Sequence, residues 1–184
     1  MKNIFYITLL MFGTLCNAQT VTPESMAQYE PGSYPNADYV KDTNGLLNKF
    51  VGTWKGVFNG KSYEVNLIKK ENVGDEIKWD KLIGKLKITA SNGTIEFNNF
   101  NQLEDDNFFR GTNFQKNLKF YKMIFPGAQY TGCIDTGTIY LGVKADTPNI
   151  LTINFLADYD IVKQDCSNFQ TTIPAGKSIT LTKQ

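Results

Sequence analysis

From Trp54 to the end of the chain, apolar and polar residues alternate with the period of two that marks half-buried strands. Trp54 and Phe58 share one face, and Asn59-Gly60 is a two-residue hairpin signal. Tyr63, Val65 and Leu67 then oppose Glu64 and Asn66. Asn72, Gly74 and Asp75 supply a turn. Ile77 and Trp79 begin a third strand on odd positions, and the apolar face moves to Leu82, Leu86 and Ile88. That switch predicts a bulge or bend near Asp80-Lys81. Asn92-Gly93 is a second hairpin signal, leading to Ile95 and Phe97. Residues 98–117 are polar and read as a long loop. Residues 118–125 are apolar on both faces, which predicts a strand covered on both sides. Residues 138–143 alternate through Ile139, Leu141 and Val143, and residues 150–157 through Leu151, Ile153 and Phe155. A turn at Ile173-Pro174-Ala175-Gly176 precedes a last strand with Ile179 and Leu181.

Eight or nine short strands, joined mostly as neighbours and without sustained helical periodicity, predict an all-β fold. The expected architecture is an antiparallel up-and-down barrel, closed or half-open and lipocalin-like in outline. A β-sandwich is the alternative. The barrel domain is expected over residues 46–184, opening with a short helical turn across residues 44–50. Residues 19–45 read as a leader: Pro23, Pro31 and Pro35 interrupt any helix, and Tyr29, Tyr34 and Tyr39 recur at an interval of five. This matches an extended strap laid on the domain; an arm for a partner is the alternative.

Residues 1–18 read as a signal peptide. Lys2 gives the positive start, residues 4–15 are an apolar stretch too short to span a bilayer, and Cys16-Asn17-Ala18 offers small residues for cleavage before Gln19. The expectation is export, to the periplasm or beyond. A lipoprotein acylated at Cys16 is disfavoured by the bulky Leu15 before it. No later segment is an integral membrane helix.

Charge and composition narrow the function classes. The chain has 19 basic and 18 acidic residues, and removing Lys2 with the signal leaves 18 of each. Arg110 is the only arginine. A neutral, guanidinium-poor surface argues against nucleic acid and anionic membranes. There is no histidine, which excludes Ser-His-Asp and Cys-His nucleophiles, an imidazole base and His-ligated metals. Of the three cysteines, Cys16 lies in the signal, and the remaining pair, Cys133 and Cys166, predicts a disulfide in an exported chain.

The opening Phe50-Val51-Gly52-Thr53-Trp54-Lys55 resembles the first strand of the calycin group: lipocalins, fatty-acid-binding proteins and avidin-like barrels. The hairpin at Asn59-Gly60 departs from the helical lid of fatty-acid-binding proteins, and too few residues follow Asp158-Tyr159 for a full lipocalin. In lipocalins an arginine near the last strand often covers the tryptophan; here no arginine lies beyond Arg110, and Lys183 is expected to do part of that job without the planar stacking. From Leu46 to Gln184 the chain also resembles small secreted bacterial proteins of unknown function. They share a Phe-x-Gly-Thr-Trp opening, a Lys-rich second strand and a Leu-Ile-Gly third strand like Leu82-Ile83-Gly84. That resemblance implies no activity and no functional residues.

Trp54 reads first as a structural plug. Trp54, Tyr63, Trp79, Phe97 and Phe120, with Tyr121, are the residues expected to line an interior pocket, or else an ordinary core. Glu104-Asp105-Asp106-Asn107 lacks the spacing of a calcium loop, and Asp158, Asp160 and Asp165 form no better cluster. Asp75, Glu76 and Asp80 beside Trp79 suggest a sugar site in outline only. No catalytic residue, metal or cofactor is therefore expected. The favoured function is non-catalytic binding of a small hydrophobic or amphipathic ligand by a monomer. The alternative is a cell-envelope interaction or structural module with the tyrosine-rich leader as its arm.

Overall fold

The structure is a computed structural model that describes residues 19–30, 32–104, 109–127 and 132–184. The predicted signal and most of the Glu104–Asn107 acidic run lie outside the described residues. In chain order the elements are β1 (Thr20–Val21), a one-turn helix α1 (Pro23–Met26), β2 (Tyr39–Val40), a 3-10 turn (Asn48–Phe50), β3 (Gly52–Phe58), β4 (Lys61–Val73), β5 (Lys78–Thr89), β6 (Ile95–Asn98), β7 (Arg110–Phe114), β8 (Tyr121–Phe125), β9 (Gly137–Val143), β10 (Ile150–Ala157) and β11 (Ser178–Lys183).

Eight of these strands close an antiparallel barrel in the order β3-β4-β5-β7-β8-β9-β10-β11, with β11 returning to β3 through Thr182–Lys55 and Lys183–Trp54. The seam between β5 and β7 is short and rests on the Ile83–Arg110 pair. The free edge of β5 on either side of that seam is occupied by β2, parallel to Lys78 and Trp79, and by β6, antiparallel to residues 87–89. One long strand thus shares its edge among three partners, and closure leaves the barrel without an open edge for pairing.

Inward positions follow the predicted alternation on most strands: Tyr63, Val65 and Leu67 on β4, Ile139, Leu141 and Val143 on β9, and Leu151, Ile153 and Phe155 on β10 are all buried. Rings fill the interior from end to end. Phe50, Phe114 and Tyr121 meet at the lower end with centroids 4.8–6.2 Å apart. At the upper end Phe125 takes edge-on contacts from Phe97, Phe109 and Phe155 at 5.7–6.1 Å. Such tilted and T-shaped contacts are the favoured geometry of packed aromatics.

Both ends are capped. Below, the 3-10 turn buries Phe50 and the segment before it buries Leu47; the Trp54 indole Nε1 donates to the Phe50 carbonyl at 2.7 Å. Lys183 Nζ lies 5.1 Å from the Trp54 ring centroid, so a lysine covers the tryptophan. Above, the long connection from β10 to β11 folds over the mouth. Cys166 within it is bonded to Cys133, Ile173 is buried in the core, and buried Asp135 accepts from the Thr172 amide and hydroxyl, both at 2.7 Å.

Three expectations are corrected. The polar stretch read as a loop contains β7, whose inward position 111 is a glycine; the Tyr121 ring lies where a Cβ would stand, so the alternation is carried by an absent side chain. Residues 118–125 are not covered on both sides: Tyr121, Met123 and Phe125 point inward, while Ile124 is 48% exposed. On β5 the apolar face does not change parity. Trp79 lies on the outer side with Lys81 Nζ 5.2 Å from its ring centroid, and the buried residue is Asp80, continuous with Leu82, Leu86 and Ile88. The irregularity sits opposite, on β4, where pairing passes from Lys70–Lys81 to Val73–Trp79 and Asn72 adopts φ 60°.

The described residues of the 19–45 segment are packed against the barrel rather than loose: Met26 and Val40 are fully buried, while Tyr29 and Tyr34 remain 40% and 44% exposed. The anchor is a buried polar network. Asp80 accepts from the Tyr39 hydroxyl at 2.6 Å and from the Asp42 amide at 2.9 Å. Asp42 in turn accepts from the Leu46 and Leu47 amides at 2.7 and 3.1 Å and pairs with Lys69 Nζ at 3.0 Å. Buried carboxylates persist when every oxygen is satisfied in this way.

This anchor sets a pH dependence. Burial first, then the hydrogen bond and charge of Asp80, push the Tyr39 phenol up to about 12. A raised acid favours its protonated form in the folded state, so its contribution is complete below the unfolded phenol value of about 10 and is lost as pH rises through about 12. Tyr39→Phe is expected to cost about 1.5–3 kcal/mol at pH 7, the worth of a hydrogen bond to a charged group. The gap between the urea midpoints of wild type and variant should close between pH 10 and 12. A gap unchanged over that range would contradict the assignment.

Candidate functional site

The six residues expected to line a pocket are not brought together; Tyr121 packs against Phe50 and Phe114 at the lower end. Trp54 is wholly buried at the lower end and Tyr63 is buried at the upper. Phe97 is half-buried on β6 and packs its edge against Phe125. Trp79 and Phe120 lie on the outer side of the wall. Aromatic character and spacing fit a lined cavity and a filled core equally, and it is the small inner diameter of an eight-stranded barrel that makes a filled core.

A recess is instead found on the outside. A groove of about 690 Å³ runs over the outer face of β9 and β10, bounded by the segment before β8 and by the 3-10 turn. Its shape follows from local sequence. Gly142 faces outward, and the Phe120 ring packs flat on the bare backbone there; a Cβ at position 142 would stand 2.8 Å from the Phe120 ring. Phe120, Val143, Ala145 and Ile150 make the apolar part of the lining. Thr147, Thr152, Asn154 and Ser178 supply neutral hydrogen-bonding groups.

Three lysines line this groove: Lys49 on the 3-10 turn, Lys119 before β8 and Lys144 after β9. No aspartate or glutamate lines it. Lys49 is half-buried, its Nζ 5.0 Å from the Phe50 ring centroid, and burial alone lowers its pKa. Asp146, on the turn after Lys144, is exposed and outside the lining. Sequence reasoning selected Phe120 but not its partners, because the lysines come from three separate segments and no linear motif joins them.

A second recess, about 540 Å³, lies at the upper mouth between the β3–β4 hairpin and the disulfide-bonded cap. Tyr63 forms part of its lining, with Lys61, Phe169 and Gln170 above it. Burial raises the Tyr63 phenol, and the negative charge of Glu96 adds to the effect. Glu96 itself is paired with Lys61 at 2.7 Å.

The acidic candidates do not assemble. Asp75 and Glu76 are exposed, whereas Asp80 is buried and fully engaged with Tyr39 and Asp42. Asp158 accepts from the Thr136 hydroxyl at 2.8 Å, and Asp165 accepts from the Ser167 amide at 2.9 Å. Among the described residues no three His, Cys, Asp or Glu side chains come together as a metal site. No helix among the described residues is long and apolar enough to cross a membrane.

Neither a curated protein nor a solved structure matches the sequence and fold. Residues 1–144 match the model of a family of unknown function, DUF6705, and the chain belongs to that family.

Proposed function

We propose that this protein is an exported, non-catalytic barrel domain that binds a small amphipathic ligand on its outer wall. The observation that carries the reading is a contrast. The barrel interior is packed with rings, whereas a groove of about 690 Å³ with an apolar floor stands open on β9 and β10. That volume falls in the range of small-molecule sites, about 300–1,000 Å³. The Cys133–Cys166 bond supports an oxidising compartment outside the cytosol. The groove's lining has no carboxylate, imidazole or thiol, and its lysines and hydroxyls serve to hold the ligand.

The reading as an interaction module draws on exposed Tyr29 and Tyr34. It is the weaker of the two, because the same segment anchors itself through buried Met26 and Val40 and is not a free arm.

The groove is tested with the fluorescent dye 1-anilinonaphthalene-8-sulfonate. Wild type should show a saturable rise in dye emission. Thr152→Trp, which places a large ring from an outward position into the groove, should weaken that binding at least about tenfold, the equivalent of about 1.4 kcal/mol. The urea midpoint should stay unchanged. An identical titration in wild type and variant would overturn the reading.

A further inference from the structure

We infer that the outer groove selects an organic anion: an apolar body carrying one carboxylate, sulfonate or phosphate group. The inference rests on the groove reading and adds to it the charge class of the ligand.

Charge complementarity points to an anion. With the signal removed, the chain carries 18 cations and 18 anions, so charge is balanced overall but not at this site. Lys49, Lys119 and Lys144 all border the groove, and no aspartate or glutamate lines it. None of the three forms an ion pair with any described carboxylate, whereas Lys55, Lys61, Lys69, Lys70 and Lys116 all do. Three like charges around one recess repel each other, and an anion seated among them relieves that repulsion. The apolar surface of Phe120 and Ile150 takes the body of the ligand, and Thr152 and Asn154 offer neutral hydrogen bonds along it. A cationic amphiphile would meet the same floor with like charge at every edge.

The test compares three probes with one ten-carbon chain: decanoate, decanol and decyltrimethylammonium, each titrated calorimetrically below its micelle concentration. Decanoate should bind at least about tenfold more tightly than decanol, as expected for one well-placed ion pair near a surface. Decyltrimethylammonium should bind more weakly than decanol. The preference should shrink at higher salt. It should shrink further in Lys119→Gln and Lys144→Gln, both exposed positions, and vanish when Lys49→Gln is added. If all three probes bind alike, the anion inference fails while the groove stands. If decanoate keeps its advantage in the triple variant, these lysines are not its source and the inference fails. If none of the probes binds, both readings fall.

Discussion

Trp54→Ala is expected to lower the unfolding free energy by about 3–5 kcal/mol, the usual cost of deleting a buried tryptophan side chain. Domains of this size are stable by only about 5–15 kcal/mol, so this one change should bring the fold close to its limit. The reason is position as much as size. The indole is wholly buried, it holds the 3-10 turn through the Phe50 carbonyl, and it is covered from outside by Lys183. Two milder variants separate these roles. Trp54→Phe keeps most of the ring but leaves a buried carbonyl without its donor, at about 1–3 kcal/mol. Lys183→Met keeps the stem and removes the ammonium, at about 0.5–1 kcal/mol. Urea unfolding followed by circular dichroism measures all three. A loss under 1 kcal/mol for Trp54→Ala would show that the lower end is not closed by this ring.

The second large effect is at the opposite end. Cys133 and Cys166 are 33 residues apart in sequence, and opening a loop of that length costs about 4 kcal/mol in the chain-entropy picture. Cys133→Ser/Cys166→Ser, or reduction of the native protein, should lower stability by that amount. The Asp135–Thr172 clamp and the Phe155–Ala175 bridge still hold the cap in the folded state. The groove borders the opposite end, so dye binding there should persist in the reduced protein below its transition. Equal urea midpoints with and without reductant would contradict the expected role of the bond.

Much of the barrel is legible in the sequence because most inward positions are ordinary large side chains at period two. On β4, β9 and β10 the alternation needs no tertiary information. It fails where the inward residue is not apolar. On β7 the inward Gly111 leaves room for Tyr121, and on β5 the inward Asp80 is a carboxylate satisfied by groups from the leader. Both are pairwise arrangements between distant segments, invisible to a local pattern. The same limit applies to the site. Phe120 is conspicuous as an aromatic, but its outward direction depends on Gly142, and the three lysines meet only through the barrel's closure. Trp54 marks the start of the first barrel strand, and the cation that covers it, Lys183, comes from the far end of the chain.

The filled interior and the open outer groove lead to one measurement above the rest, the methyl spectrum of isotope-labelled protein titrated with decanoate. Ile150 lines the groove, whereas Ile139 and Ile153, both on strands of the same wall, face the barrel interior. The account predicts a saturable shift of the Ile150 methyl signals, with Ile139 and Ile153 nearly unmoved. Saturable shifts centred on Ile139 and Ile153, or no shift at Ile150, would contradict it.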